Sequence, residues 1–127
     1  MRYLDEGDLV DIHDQIIIYV GGRAGIHSHR LLGSAVERPK TTTFGYQRYR
    51  SIFTKAAALL DSIANHHVFN DGNKRTAIAA ASYFLKLNGY ELLITSQQYE
   101  SYILRVVNKK PKIRSIARWL KKHSQRL

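Results

Sequence analysis

The segment His67–Ala77, HVFNDGNKRTA, holds the residue types that chemistry on a phosphate group would need. It supplies an imidazole, a carboxylate, a glycine, an amide and two cations within a few positions of one another. His67 is the side chain best suited to take a proton near neutral pH. Asp71 offers oxygen ligands of the kind that Mg²⁺ prefers, and Phe69 is an aromatic residue able to bury itself and anchor the segment. We interpret the segment as a nucleotide-phosphate site with its own general base.

The element that must position these groups is the helix that follows. Residues 76–87 are alanine-rich and apolar, without proline or glycine, so we predict a core helix over Asn73–Leu87 with the polar segment at its entrance. A helix N-terminus carries unpaired N–H groups and a partial positive charge, which favour bound anions. Gly72 permits a positive φ and close approach of the backbone to a ligand. We therefore predict that phosphate is bound by Gly72, Asn73, Lys74 and Arg75.

The pattern His67-x-Phe69-x-Asp71-x-Asn73-Lys74-Arg75 resembles the signature of the Fic/Doc superfamily, in the form found in death-on-curing (Doc) toxins. The usual signature reads H-P-F-x-[D/E]-G-N-G-R-x-x-R. Two positions depart from it, since Lys74 replaces the second glycine and Ile78 replaces the last arginine. In Fic enzymes of the common kind these two positions help to seat ATP for transfer of AMP. The Doc branch shares both departures and is associated with phosphate transfer, acting as a protein kinase on elongation factor Tu.

The resemblance therefore implies phosphorylation of a protein Ser or Thr hydroxyl, with ATP and Mg²⁺ as cofactors and Asp71 as the metal ligand. AMP transfer to a protein hydroxyl is the alternative. Ser96–Glu100 partly matches the [S/T]-x-x-x-E-[G/N] autoinhibitory motif of some Fic proteins, but Ser101 breaks the match at its last position. Without an internal inhibitor, the resemblance implies control by a separate antitoxin. The protein would then contact nucleic acid only indirectly, through that antitoxin.

Residues 39–46, PKTTTFGY, interrupt the helical pattern ahead of the motif. A run of threonines favours extended backbone and Gly45 favours a turn, so the segment alone is compatible with a surface loop or a hairpin. In the Fic/Doc superfamily a β-hairpin flap lies here and holds the target peptide by backbone pairing. The resemblance implies the same role for Thr41, Thr42, Thr43, Phe44 and Gly45.

We predict one domain over residues 1–127, of the all-α class: a compact Fic/Doc-type bundle of about six helices around the helix over Asn73–Leu87, with a small β-hairpin flap. A short extended link is expected over Tyr90–Ile94. The predicted helices span Asp5–Val20, His29–Glu37, Gln47–Asn65, Asn73–Leu87, Gln97–Val107 and Ile113–His123.

Two other histidine patterns in the chain raise the question of a metal site. His13-Asp14 is compatible with a metal-binding HD phosphohydrolase, but that family needs further ligands in a different chain order. His27 and His29 alternate in a loop, so we expect solvated or capping side chains and no metal pair.

Composition limits the remaining possibilities. The chain has no cysteine, which excludes a disulfide framework or a thiolate metal site and fits a reducing cytoplasm. No apolar run approaches the roughly 20 residues of a membrane span, and the acidic start MRYLDEGDLV lacks the apolar stretch of a signal peptide. We therefore predict a cytoplasmic protein that does not bind membranes.

The net charge of +10 is unevenly distributed. Five of the ten acids lie between Asp5 and Asp14, none follows Glu100, and nine Lys or Arg residues lie between Arg105 and Arg126. A solvated helix face with a basic tail explains this pattern, and so does an acidic partner protein. An acidic, partly disordered antitoxin would suit such a surface. A function of another class, a non-catalytic basic module that binds RNA or an acidic protein, stays open on charge alone.

Overall fold

The computed structural model describes all residues 1–127 and contains six α-helices and two short pairs of antiparallel strands. This confirms the predicted all-α bundle with a small hairpin. The helices span α1 Glu6–Val20, α2 His29–Glu37, α3 Ile52–Asn65, α4 Asn73–Leu87, α5 Ser96–Lys109 and α6 Ile113–Lys122. The strands are β1 Thr42–Thr43 and β2 Tyr46–Gln47, which pair with each other, and β3 Tyr90–Leu92 and β4 Ser124–Arg126, which pair with each other.

Local signals in the sequence set most helix boundaries. Asp5 and Thr95 cap α1 and α5 through capping boxes, and Ser28 caps α2 by accepting a hydrogen bond from the Leu31 N–H. The bounds of α2 and α4 agree with the prediction, and those of α1, α5 and α6 differ by one or two residues at an end.

The predicted start of α3 at Gln47 is wrong. Gln47 belongs to β2, where it pairs with Thr42, and the helix begins five residues later at Ile52. Ser51 caps α3 through a reciprocal pair of hydrogen bonds with Thr54. The hairpin and this cap together displace the helix start, because both remove backbone groups that a longer helix would have used.

One hydrophobic core extends through all six helices and contains 24 buried residues. α3 and α4 lie at its centre: α4 packs against α1, α3 and α5, and α3 packs against α2, α4, α5 and α6. Six alanines of the two helices are fully buried and allow the two backbones to approach closely: Ala56, Ala57, Ala58, Ala77, Ala80 and Ala81. α3 is the more deeply buried of the two, so the centre of the bundle is shared and does not belong to α4 alone.

The C-terminal residues form a strand that the sequence did not predict. β4 pairs with β3, with Tyr90 opposite Arg126 and Leu92 opposite Ser124, and Leu127 donates its N–H to the Gly89 carbonyl. The predicted extended link after α4 is thus one half of a two-stranded sheet.

Trp119 of α6 stacks on Tyr102 of α5 at a centroid distance of 4.0 Å. No helix is long and apolar enough to cross a membrane.

The hairpin of β1 and β2 is held at its base by the buried lysine of α3. Lys55 is 1% exposed and has no ion-pair partner. Its ammonium donates to the Pro39 carbonyl (3.2 Å), to Oε1 of Gln47 (2.7 Å) and to the Tyr49 carbonyl. The three acceptors lie on both sides of the hairpin, so one side chain fixes both of its ends to the bundle.

We expect Lys55→Met to lower the free energy of unfolding by about 1–3 kcal/mol, because it leaves two buried carbonyls without donors. The exposed Lys86 of α4 provides the control, and Lys86→Met should change the value by less than about 0.5 kcal/mol. Urea denaturation of the two variants measures both. Equal stability of the two variants would show that the lysine does not anchor the hairpin.

Candidate active site

The predicted motif occupies the junction between α3 and α4 and faces a cleft of about 410 Å³. Three cations line this cleft together with the motif backbone. Its lining residues are Arg23, Ala64, His67, Asn70, Asp71, Gly72, Asn73, Lys74, Arg75 and Val107. The structure therefore brings the predicted base, the predicted metal ligand and the predicted phosphate ligands together at one surface.

His67 is solvent-exposed and follows the end of α3 in a strained conformation. Its φ is +51°, in the left-handed region that glycine usually occupies after a helix. A residue with a side chain in this region carries a conformational cost of roughly 1 kcal/mol or more. The bend turns the chain from α3 toward the buried residues Val68 and Phe69.

Phe69 is fully buried and stacks on the ring of His13 at a centroid distance of 3.9 Å. His13 lies on α1, is 1% exposed, and donates from Nε2 to the carbonyl of Asp71 (2.8 Å). A carbonyl oxygen only accepts, so Nε2 carries the proton. His13 thus supports the motif from beneath. Since no group of three or more His, Cys, Asp or Glu side chains is arranged to hold a metal ion, the HD phosphohydrolase interpretation finds no support.

Asn73 closes the loop between Phe69 and α4. Its Oδ1 accepts from the Phe69 N–H and its Nδ2 donates to the Phe69 carbonyl, both at 2.9 Å. The side chain is therefore used to shape the loop, and its amide is turned toward the motif backbone. The predicted contact of Asn73 with phosphate stays a prediction. The backbone N–H of Asn73 is free to make this contact.

The first turn of α4 offers three unpaired backbone donors. Gly72 precedes the helix with a φ of +72°, and its N–H is bonded to Oδ1 of Asp71. The N–H groups of Asn73, Lys74 and Arg75 have no acceptor within the protein. Donors of this kind, together with the dipole of a 15-residue helix, form an anion-binding site. Lys74 and Arg75 are exposed beside them. Thr76 is fully buried with its hydroxyl unpaired, so it lies away from the cleft.

Asp71 is exposed and held in place by two backbone donors. Oδ2 accepts from the Arg23 N–H (3.0 Å) and Oδ1 from the Gly72 N–H (2.9 Å). These two hydrogen bonds lower the pKa of Asp71 below its ordinary value of 3.8. The carboxylate is therefore ionised throughout the neutral range. One exposed carboxylate fits a Mg²⁺ ion that takes its other ligands from water and from substrate phosphates, and it does not fit a metal held by protein alone.

The glycine-rich loop between α1 and α2 supplies residues that the motif did not reveal. Arg23 lines the cleft, and the ring of His27 meets that of His67 edge-on at a centroid distance of 4.5 Å. The sequence predicts a solvated or capping His27; the side chain is exposed, but it packs against the predicted base. His29 is the first residue of α2, and Ser28 provides the cap. The glycines on either side of Arg23, at positions 22 and 25, are the signal in the sequence that the backbone approaches closely here.

The flap residues form a hairpin at the sequence position predicted for them. β1 and β2 are exposed on both faces, and Phe44 and Gly45 make the turn with positive φ angles of 52° and 82°. Phe44 is 95% exposed, so the tip of the hairpin carries an aromatic ring without an intramolecular partner. The role of this hairpin in holding a substrate stays a prediction.

Comparison with known proteins gives the family. A model of the Fic/DOC family matches residues 3–85, about two thirds of the chain and all of the motif. The chain is 44% identical over 91 residues to Toxin Doc of Mycolicibacterium smegmatis. The aligned region covers 72% of this chain and 68% of that protein. This chain is also 32% identical over 92 residues to Protein kinase doc of Escherichia phage P1. The aligned region covers 72% of each of the two proteins. The chain is therefore a member of the Fic/DOC family, on the branch that contains the Doc toxins.

Proposed function

We propose that this protein is the toxin of a toxin–antitoxin pair and that it transfers phosphate from ATP to a Ser or Thr hydroxyl of a target protein. The observation that carries the proposal is the cleft itself. It unites an exposed imidazole, an ionised carboxylate, three unpaired N–H groups and three cations at the start of one helix. The names of the two relatives, a toxin and a protein kinase, support the same activity.

In the proposed reaction His67 removes the proton from the target hydroxyl as the oxygen bonds to the terminal phosphorus. The bond between that phosphorus and the bridging oxygen breaks, and ADP leaves with the electron pair. Lys74, Arg75 and the N–H groups of the first turn of α4 hold the phosphate oxygens and offset their charge. Asp71 would hold Mg²⁺, which supplies further positive charge at the phosphates.

Phosphate transfer is favoured over AMP transfer by two residues. Lys74 lies in the first turn of α4 and lines the cleft where the common Fic signature has a glycine, so its side chain occupies space beside the phosphates. Ile78, at the position of the last arginine, is only 8% exposed and belongs to the core. The cleft therefore receives no cation from that position of α4.

The proposal is tested with ATP labelled at either the α or the γ phosphorus. Purified protein is incubated with a cell extract, and the label on protein is resolved by electrophoresis. We expect protein-bound label from γ-labelled ATP only. Protein-bound label from α-labelled ATP would establish AMP transfer. If neither ATP labels protein while a control kinase is active, both phosphate transfer and AMP transfer are contradicted. Elongation factor Tu is the target that we propose on the family resemblance, and the purified factor is the first substrate to add.

An antitoxin partner follows from the proposed role as a toxin. None of the nine basic residues between Arg105 and Arg126 has an ion-pair partner within the chain. An acidic antitoxin that folds on binding would neutralise part of this surface. Affinity purification of the tagged protein together with the product of the neighbouring open reading frame tests the pairing. Recovery of the tagged protein alone would contradict it.

His27 is expected to act as a positioning residue for His67. Because its ring packs edge-on against the proposed base, His27→Ala should lower kcat by about three- to tenfold and leave KM for the target nearly unchanged. His27→Phe keeps an aromatic ring at this position and should recover most of kcat. The control is His29→Ala, on the other histidine of the pair. Steady-state kinetics of the three variants decide the point, and a full kcat for His27→Ala would exclude the role.

A further inference from the structure

The loop Gly21–Ser28 lies directly on the motif backbone. His27 and Ser28 donate their N–H groups to the Val68 carbonyl at 2.9 and 3.1 Å, and the Asn70 N–H donates to the Gly25 carbonyl at 3.0 Å. Ile26 forms an isolated β-bridge with Phe69. Two chain segments about forty residues apart therefore make one wall of the cleft.

Two glycines allow this close packing. Gly22 has a φ of +117°, and a Cβ there would lie 2.8 Å from Oδ2 of Asp71. Gly25 has a φ of +102°, and a Cβ there would lie 2.9 Å from Nδ2 of Asn70. Both distances are shorter than real Cβ contacts. The loop cannot shift outward without losing its hydrogen bonds, so the two residues between these glycines, Arg23 and Ala24, are held at the motif.

Of these two residues Arg23 lines the cleft, and its contacts fix both its backbone and its side chain. The backbone N–H donates to Oδ2 of Asp71 at 3.0 Å, and Nη2 donates to the Asn70 carbonyl at 2.9 Å. No carboxylate forms an ion pair with the guanidinium. The group is exposed and lines the cleft with Lys74 and Arg75. Its other N–H donors and its full charge are therefore available to a ligand.

We propose that Arg23 binds phosphate oxygens of the nucleotide and acts as the third cation of the cleft. This inference rests on the proposed function and adds a residue from outside the motif. A planar guanidinium tethered through one nitrogen is preorganised, so it gives up little side-chain freedom when it binds a phosphate oxygen. It also supplies positive charge to a cleft in which Ile78 supplies none.

The experiment measures the affinity of the full chain for ATP, ADP and adenosine by calorimetry. We expect Arg23→Ala to weaken ATP binding by about tenfold and to leave adenosine binding unchanged, since only the phosphates meet the guanidinium. The dependence of ATP affinity on salt should become shallower. The control is Arg30→Ala on α2, an exposed arginine outside the cleft, which should bind ATP as the wild type does.

Two further variants separate charge from the tether to Asn70. Arg23→Gln keeps an amide donor for the Asn70 carbonyl but has no charge, and we expect it to bind ATP as weakly as Arg23→Ala. Arg23→Lys keeps the charge and should recover part of the affinity. All variants retain the backbone hydrogen bond to Asp71, so their thermal unfolding midpoints should stay close to that of the wild type.

Three outcomes would overturn the inference. They are wild-type ATP affinity in Arg23→Ala, full recovery by Arg23→Gln, and an equal loss of affinity for adenosine. In each case the wild type still binds ATP, so the proposed function is untouched. A wild-type protein that binds no ATP would instead refute the proposed function itself.

Discussion

Replacing His67 with alanine is expected to lower phosphate transfer by about 10²–10⁴-fold while ATP affinity stays close to that of the wild type. The imidazole is the only side chain of the motif suited to take a proton at neutral pH, and the proposed phosphate ligands Lys74 and Arg75 belong to the first turn of α4. Single-turnover kinetics with the purified target give the rate, and calorimetry gives the affinity.

The backbone at His67 makes a sharper version of this test possible. Because its φ of +51° favours glycine, His67→Gly should be at least as stable as the wild type and yet as inactive as His67→Ala. A variant that loses activity without losing stability shows that the imidazole is kept for chemistry. The control is His66→Ala, on the exposed C-cap residue of α3, which should stay active. Transfer at the wild-type rate by His67→Gly would eliminate His67 as the base.

Asp71→Asn is expected to raise the Mg²⁺ concentration for half-maximal transfer by at least about tenfold. Loss of a residue that merely orients a ligand costs 10–100-fold in metal affinity in other proteins, so about tenfold is a lower bound for a ligand itself. The remaining amide oxygen can still accept from the Arg23 or Gly72 N–H, so the loop should keep its shape. Magnesium titrations of transfer rate and of ATP affinity provide the measurement.

The matched control is Asp11→Asn, which removes an exposed carboxylate from α1. It changes the net charge equally and should leave the titration unchanged.

The pKa of Asp71 adds a pH test. Since hydrogen bonds depress this pKa below 3.8, the ionised form persists as pH falls and is lost only below that value. Any loss of transfer between pH 8 and pH 5 should therefore be the same in Asp71→Asn. An unaltered magnesium titration in this variant would refute the role of Asp71.

The helices that the sequence predicts to the residue are those whose controlling signals are local. Ser28 and Pro39 bracket α2, and Asn88-Gly89 ends α4, so both helices could be placed to the residue. The start of α3 was misplaced, although Ser51 and Thr54 already form a capping pair in the sequence. The apolar stripe of α3 does not exclude residues 47–51 from the helix. The structure excludes them, because Gln47 pairs with Thr42 and Ser51 caps the helix.

Contacts between distant segments were not predictable in the same way. β4 pairs with β3 across more than thirty residues. Neither strand has a sequence pattern from which its pairing partner could be identified. The buried Lys55 is another case, because a lysine in a helix is usually solvated. Its three acceptors lie in the hairpin and in the segments on either side of it, which meet only once the chain has folded around α3.

The amino-acid sequence alone determined the motif, the helix that follows it and the chemistry its residue types can perform, because these depend on neighbours a few positions apart. Only the tertiary structure decided what surrounds the motif. It places His13 beneath Phe69, His27 against His67 and Arg23 beside Asp71. These contacts join residues forty or more positions apart, and they arise from close packing of α1 and the glycine-rich loop on the motif, which no spacing along the chain can specify.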